Sequence, residues 1–215
     1  MKNMRLTVCI GIMCGWLAAG MLHAGTRPDH VRPVEEDGSR LWLPVIRPVE
    51  GAEVEITYKG KVSPTIAIAI AELKNAWKGD PVLLEKKKTG RGDGFAITSS
   101  EHQVRILSST ETGLLYGAYS LLRMQAAGQL TVPLSVTEQP AYDLRILNHW
   151  DNPDGTVERG YAGRSLWNWE ELPGTLSPRY EAYVRANASV GINGTVLNNV
   201  NASPQVLTTG SLEKV

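Results

Sequence analysis

Between residues 41 and 142 the apolar positions follow two periods, which predicts strands mixed with helices. Five short segments have the alternation or the apolar run that is typical of β-strands. These segments are residues 54–58, 81–84, 94–98, 103–107 and 129–136. Because helical segments accompany them, we expect one small sheet with helices packed on it.

Two segments of this region have the apolar spacing of amphipathic helices and clear start signals. Ser63 and Pro64 form a typical N-cap followed by a proline at the first helical position, and apolar residues then recur at helical spacing as far as Gly79. Thr110 likewise predicts the cap of a second helix over residues 111–127. Two helices on one sheet make a two-layer α+β domain that is large enough for its own core.

From residue 144 onward the pattern changes to strand, long polar loop, helix and strand. Residues 144–147 predict a buried strand, Ser177 and Pro178 predict the start of a helix, and residues 192–197 predict the next strand. A strand, helix and strand with a polar C-terminal end are typical of one unit of a parallel (β/α)8 barrel. Active sites of such barrels lie at the C-terminal ends of the strands.

The loop after residue 147 has the densest candidate chemistry in the chain. It combines tryptophans with carboxylate, amide and guanidinium side chains, and it breaks on the turn sequence of residues 152–155. Aromatic faces can stack on sugar rings, while the polar groups can bind sugar hydroxyls. The loop therefore indicates a carbohydrate site.

Two runs in this loop resemble the opening of the catalytic barrel in microbial alpha-glucuronidases, glycoside hydrolase family 67. They are Asn148–Asn152 and Glu158–Ser165. The second predicted helix, from Thr112 to Met124, resembles the last helix of the accessory domain that precedes the barrel in beta-N-acetylhexosaminidases and related glycosidases. Tyr116 and Tyr119 in that helix are expected to be core or interface residues.

The resemblance implies an α/β fold class with two parts. Residues 41–142 would be a two-layer α+β accessory domain of the glycosidase N-terminal type, and residues 143–215 the first strands of a truncated (β/α)8 TIM barrel. Because eight barrel units need about 250 residues, we expect the sequence to be the N-terminal fragment of a longer protein.

The family hydrolyses the alpha-1,2 bond between (4-O-methyl)glucuronic acid and xylose on xylan fragments. The resemblance thus implies glucuronoxylan-derived oligosaccharides as the substrate and an inverting acid–base mechanism. The two carboxylates of that mechanism are expected on later barrel strands, so no residue of this chain is predicted to be catalytic. The fragment alone is expected to be inactive.

Seven residues are predicted to bind substrate from the resemblance and from their place in the loops. They are Trp150, Asp151, Asn152, Glu158, Arg159, Asn199 and Asn201. Trp150 is expected to stack on the uronic-acid ring.

The same residues also allow structural interpretations. Asp151 and Glu158 could instead support the loop, and Arg159 could pair with the sugar carboxylate or with one of those two acids. Asn199 and Asn201 could instead cap a turn. A further pair, Trp167 and Trp169, is expected to pack in the core rather than line the pocket.

Two other function classes stay open at this point. One is another glycosidase of the same architecture, such as a hexosaminidase. The other is a carbohydrate-binding or surface module without catalysis. The helix of residues 112–124 is compatible with both, whereas the loop of residues 148–165 favours the enzyme.

The first 40 residues predict export. Residues 1–24 combine a basic start, an apolar stretch and a small-residue cleavage site, which is typical of a signal peptide, and residues 25–40 read as a flexible leader. We therefore expect a periplasmic or extracellular protein without stable membrane insertion after cleavage. Both cysteines, Cys9 and Cys14, lie in the signal peptide, so the mature chain would form no disulfide.

The charge balance argues against a nucleic-acid-binding protein, and the spacing of the histidines argues against a metal site. The chain has 22 basic and 22 acidic residues, and loss of Lys2 and Arg5 leaves 20 against 22, a net charge of −2. This balance argues against a nucleic-acid partner. Neither a metal site nor another cofactor is predicted. Association into a homodimer through C-terminal regions outside these 215 residues stays open.

Overall fold

The structure is a computed structural model that describes residues 42–43, 54–198 and 202–214. The predicted signal peptide and leader lie outside the described residues, as do Asn199 and Asn201. Within the described ranges, no helix is both long and apolar enough to cross a membrane.

A five-stranded mixed sheet is the largest element of the fold. Its strands are β1 (Ile56–Lys59), β2 (Val82–Lys86), β3 (Phe95–Ser100), β4 (Gln103–Ser108) and β5 (Ser135–Glu138). The order across the sheet is β1-β2-β4-β3-β5. The first three strands in this order are mutually parallel, while β3 is antiparallel to both of its neighbours. The predicted mixture of α and β structure is confirmed.

Strand β5 begins at Ser135, so the prediction of a strand over residues 129–136 was wrong for most of its length. Pro133 lacks the N–H that a strand would need for its ladder. Ser99 instead binds Leu134 twice, since the Leu134 N–H donates to the Ser99 hydroxyl (2.7 Å) and the Ser99 N–H donates to the Leu134 carbonyl (3.1 Å). Regular pairing with β3 starts only after this contact.

Two helices, α1 (Pro64–Ala76) and α2 (Glu111–Ala126), begin at the predicted caps. The Ser63 hydroxyl accepts the N–H of Ile66, and the Thr110 hydroxyl accepts the N–H of Gly113 at 3.0 Å. Helix α1 ends at Ala76, earlier than the predicted stop at Gly79. The reason is that Trp77 adopts an extended backbone, with its indole N–H donating to the Asp80 carbonyl at 2.8 Å.

The main core lies between these helices and the sheet. Its fully buried side chains are Ile66, Leu73, Leu84, Ile97, Ile106, Leu114, Leu121 and Leu122. Tyr116 and Tyr119 are also buried there, as predicted. Gly117 brings α2 close to the sheet, because a Cβ at this position would lie 2.5 Å from Cγ2 of Ile106. Any larger residue at position 117 would therefore push the helix away.

A second, smaller element consists of β6 (Ile146–Asn148), helix α3 (Pro178–Ser189) and β7 (Gly194–Val196). The two strands pair in parallel, with Leu147 opposite Thr195. Both strands are shorter than the sequence pattern predicted. A 3-10 helix (Pro204–Leu207) and a short helix α4 (Thr209–Leu212) follow.

Arg185 of α3 joins this element to the helices of the larger sheet. Its guanidinium donates to both carboxylate oxygens of Glu72 at 2.6 and 2.8 Å, and it lies over the ring of Tyr119. A third bond runs from Arg185 to the carbonyl of Leu43 at 2.8 Å, while the N–H of Leu43 donates to the Ser189 hydroxyl. Charge, ring and backbone contacts thus meet at one side chain.

Arg145, just before β6, makes a second junction of the same kind. Its guanidinium donates to the Asp93 carboxylate at 3.2 Å and lies over the ring of Tyr116. The Nε of Arg145 also donates to the Gly191 carbonyl at 2.6 Å. Arg145 therefore ties the start of β6 to α2, and Arg185 ties α3 to both α1 and α2.

Candidate functional site

The candidate site lies where β6 ends and the loop of residues 149–177 begins. The N–H of His149 donates to the carbonyl of Val196 at 3.0 Å, which extends the pairing of the two strands by one bond. Polar side chains that follow neighbouring parallel strands gather at the same edge of a sheet. The first residue of the loop is thus hydrogen-bonded to the last residue of β7.

The next three side chains alternate between the interior and the solvent. His149 is partly buried, Trp150 is 43% exposed, and Asp151 is only 4% exposed. Extended backbone points successive side chains to opposite sides. The predicted sugar-stacking residue Trp150 is accordingly presented at the surface between two inward-facing polar residues.

Asp151 lies inside the loop and ties its start to its middle. Its carboxylate accepts the hydroxyl of Ser165 at 2.6 Å and the N–H of Leu166 at 3.1 Å. The Nδ1 atom of His149 lies 3.5 Å from its other oxygen. Arg159 is not among the partners that the described residues supply to Asp151.

Asn152 and Glu158 shape the turn at the tip of the loop. The Asn152 amide donates to the Thr156 hydroxyl at 2.9 Å and to the Glu158 carbonyl at 2.8 Å. Glu158 has a left-handed backbone (φ +58°), and its N–H donates to the carbonyl of Trp150 at 2.8 Å. Desolvation, together with the charge and hydrogen bonding of Glu158, raises the pKa of Tyr161.

The turn itself is held by Asp154. Its carboxylate accepts both the hydroxyl and the N–H of Thr156, at 2.6 and 2.9 Å. These bonds, the hydroxyl first, lower the pKa of Asp154 because they favour its charged form. Arg159 and Arg164 lie on the exposed outer side of the same loop. The rim therefore carries two guanidinium groups as well as the carboxylate of Asp154, while the interior carries the buried carboxylate of Asp151.

Trp167 and Trp169 pack in a small second core, as the sequence predicted. They are 8% and 7% exposed and cluster with Tyr180 of α3, whose hydroxyl accepts the Asn168 N–H at 2.7 Å. The loop thus returns onto α3 through aromatic packing. These rings support the site from beneath and do not face solvent.

Sequence reasoning missed His149, which lies beside Asp151 in the structure, and Tyr183, which binds His149. His149 binds the Tyr183 hydroxyl at 2.6 Å, and that hydroxyl lies 3.2 Å from the hydroxyl of Thr195. His149 belongs to the run that carries the resemblance, but nothing in the sequence links it to a tyrosine 34 residues later. In the described part of the chain, no group of three potential ligand residues comes together as a metal site.

Comparison with known proteins relates the second half of the chain to one family. Residues 124–215 match the glycosyl hydrolase family 67 middle domain. A probable alpha-glucuronidase A of Aspergillus clavatus is 41% identical over 116 residues, which is 54% of this chain and 14% of that protein. The alpha-glucuronidase A of Aspergillus tubingensis is 40% identical over 115 residues, again 54% of this chain and 14% of the relative. The chain thus spans about a seventh of the length of these relatives.

A solved structure shares the fold at low sequence identity. It is a GH138 enzyme targeting pectin rhamnogalacturonan II, which aligns with a TM-score of 0.52 and 17% identity. The alignment covers 69% of this chain and 24% of that enzyme. At this identity the similarity concerns the fold alone.

Proposed function

We propose, from the premise that residues 124–215 belong to the middle domain of glycosyl hydrolase family 67, that the whole protein is an alpha-glucuronidase. It removes (4-O-methyl)glucuronic acid from xylan-derived oligosaccharides. Relatives at about 40% identity that bear this name support the proposal. In the same proposal, residues 41–142 are the accessory domain, residues 143–215 begin a (β/α)8 barrel, and residues 1–24 direct export.

The observation that carries the proposal is the presentation of Trp150 at the end of β6. Its indole is 43% exposed although both of its neighbours in the chain turn inward. An exposed aromatic face on a supported backbone can stack on the apolar face of a sugar ring at little conformational cost. Trp150 would therefore form one wall of the uronic-acid subsite.

Two guanidinium groups on the rim suit an acidic sugar. Arg159 and Arg164 are exposed on the loop that carries Trp150. A guanidinium can bind a carboxylate through two parallel N–H bonds, and a neutral sugar offers no such partner. We assign the uronate carboxylate to this rim, with Asn199 and Asn201 as further contacts beyond β7.

The chemical step requires two carboxylates with separate roles. An inverting hydrolase places its acid and its base about 6.5–9.5 Å apart, with one of them free to activate water. Asp151 is buried; its Oδ2 already accepts bonds from Ser165 and Leu166, and its Oδ1 lies 3.5 Å from Nδ1 of His149. We therefore assign Asp151 and Asn152 to the organisation of the pocket, and the acid and base to later strands of the barrel.

The test is hydrolysis by the whole protein. We expect release of 4-O-methylglucuronic acid from an aldotetraouronic acid, detected by anion-exchange chromatography, with NMR showing inversion at the anomeric carbon. Residues 25–215 alone should release none, because they lack the catalytic pair.

Two outcomes would replace this proposal by another. Hydrolysis of an N-acetylhexosaminide but not of the uronosyl substrate would indicate a hexosaminidase. Binding of the oligosaccharide by the whole protein without any cleavage would indicate a carbohydrate-binding module.

A further inference from the structure

Four polar side chains form a continuous row beneath the candidate loop. In order they are Asp151, His149, Tyr183 and Thr195, and we call them the polar row. The successive distances are 3.5 Å from carboxylate to imidazole Nδ1, 2.6 Å from Nε2 to the phenol oxygen, and 3.2 Å from that oxygen to the threonine hydroxyl. The row connects the loop to α3 and β7, because Asp151 and His149 belong to the loop, Tyr183 to α3 and Thr195 to β7.

The protons of the polar row can be arranged in one direction. In the tautomer with the hydrogen on Nδ1, this N–H faces the Asp151 carboxylate, which accepts only, at a distance of 3.5 Å. In the neutral ring Nε2 is then an acceptor, and the Tyr183 hydroxyl donates to it. The Thr195 hydroxyl is free to donate to Tyr183 or to the carbonyl of Leu147 at 3.3 Å. Every member therefore has a partner of the right type.

The imidazole of His149 is held on its faces as well as at its nitrogens. The ring of Trp167 lies 5.7 Å away and the ring of Tyr183 lies 5.3 Å away, both in edge-on arrangements. The backbone N–H of His149 donates to Val196. These contacts fix the side chain of His149 toward the interior. Because successive side chains of an extended backbone point to opposite sides, the next residue, Trp150, points outward.

We propose that His149 is a positioning residue of the sugar-binding loop. Its Nδ1 side fixes Asp151, while the contact of Nε2 with Tyr183 makes a smaller contribution, and Asp151 ties the start of the loop to Ser165 and Leu166. His149 itself acts through Asp151 and Trp150 and does not take part in the chemical step. The ligand of the loop, a glucuronosyl sugar, rests on the function proposed above, whereas the ordering of the loop by His149 does not.

Two substitutions separate the two ends of the imidazole. His149→Asn places an amide N–H near the former Nδ1 and keeps a donor for Asp151. His149→Gln places its amide near the former Nε2 and keeps a partner for Tyr183. If the loop is ordered through Asp151, asparagine should preserve it and glutamine should not. His102→Gln, at an exposed turn histidine between β3 and β4, is the matched control.

The first measurement is hydrogen exchange of the whole protein, followed by mass spectrometry of the peptide that covers residues 150–166. In His149→Gln we expect the amides of this peptide to exchange about tenfold faster, since their protection depends on local opening. In His149→Asn the exchange should stay near that of the wild type. Peptides of β4 serve as an internal reference for folding and should not change in either variant.

The second measurement is steady-state kinetics on the aldotetraouronic acid. His149→Gln should raise KM about tenfold with little change in kcat, as expected when binding contacts are displaced without loss of the reacting groups. His149→Asn should recover most of this loss. Tyr183→Phe should have a smaller effect of the same kind, because Asp151 keeps its contact with the imidazole.

The possible results separate the two proposals. Equal effects of asparagine and glutamine on the loop, or faster exchange in β4 as well, would reduce His149 to a general stability residue and overturn its positioning role. A wild-type protein without uronosidase activity whose loop still follows the predicted exchange pattern would overturn the proposed function alone. A loss of kcat of a hundredfold or more in both variants would mean that His149 touches the reacting atoms.

Discussion

The sheet of residues 56–138 and the loop of residues 149–177 are held together in different ways. The sheet and its two helices bury a continuous set of aliphatic side chains, including Ile106 and Leu121 at 0% exposure. The loop has a small aromatic cluster, and its chain path is otherwise set by hydrogen bonds to Asp151, Asn152 and Asp154.

The difference follows from the direction dependence of the two interactions. Burial of apolar area is large in free energy but does not specify orientation, so it suits a supporting domain. Hydrogen bonds contribute less net stability, yet they set angles and distances. Polar contacts therefore suit a loop that presents Trp150 to a ligand, as we propose. It also depends on the larger domain for its position.

The largest effect is expected from a cavity in the sheet region. Leu121→Ala should lower the free energy of unfolding by about 3 kcal/mol, because the side chain is fully buried in the main core. Urea denaturation of the purified protein measures this. Ile146→Ala is the control from β6, where the side chain is 48% exposed, and should cost less than about 1 kcal/mol. Equal losses at both positions would contradict the contrast between the two regions.

A medium effect is expected at the junction between the regions. Arg185→Met should cost about 2 kcal/mol, since it leaves the carboxylate of Glu72 largely enclosed without its cation. The figure is below that of a fully buried pair because both side chains retain 15–18% exposure. The double variant Arg185→Met with Glu72→Met should recover much of the loss. No recovery would show that the aliphatic stem of Arg185, and not its charge, carries the contact.

A tenfold effect on function without an equal effect on stability is expected at Trp150. Ring stacking and apolar contact with a sugar are each worth on the order of 1–2 kcal/mol. Trp150→Ala should therefore lower kcat/KM of the whole protein by about tenfold or more, with the melting temperature nearly unchanged. Trp167→Ala should instead lower the melting temperature, because that ring is buried. A large drop in melting temperature with unchanged kcat/KM in Trp150→Ala would remove this residue from the site.

The smallest effect concerns alkaline pH. Burial, with the negative charge of Glu72 as the next contribution, raises the pKa of Tyr119 above its usual value near 10. The unfolded chain then loses the phenol proton first, so stability is intact below about pH 10 and falls as the pH rises further. Tyr119→Phe should flatten this fall in urea midpoints measured on both sides of pH 10. An equally steep fall in the variant would assign the alkaline sensitivity to other groups.

Local signals in the sequence predicted most of the helices and strands. Ser63 and Thr110 mark their helix starts because an N-cap bonds within its own first turn. The stop of α1 could not be predicted in the same way, because it depends on the contact of the Trp77 indole with Asp80. The start of β5 has a local signal in Pro133, which the strand prediction overlooked, whereas its pairing with β3 is invisible in the local pattern.

The location of the candidate loop could be predicted from the sequence, whereas its hydrogen-bond partners were less predictable. Trp150 could be singled out from its place at a strand end, and its exposure agrees with a ligand-facing role. Asp151 was grouped with it, but its enclosure depends on Ser165, fourteen residues away. The partner of His149 lies still further along the chain on α3. Such contacts arise from the tertiary fold, so the single sequence gives no sign of them.

The double attachment of Leu43 sets a boundary for processing of the N-terminus. Its carbonyl accepts from Arg185, its N–H donates to Ser189, and its side chain is 3% exposed. Proteolytic trimming that ends before residue 42 would keep both bonds, and cleavage after Ala24 lies well within that limit. Trimming beyond Leu43 would remove the acceptor of Arg185 and open a hole beside α3. Loss of Leu43 should therefore weaken the packing around α3.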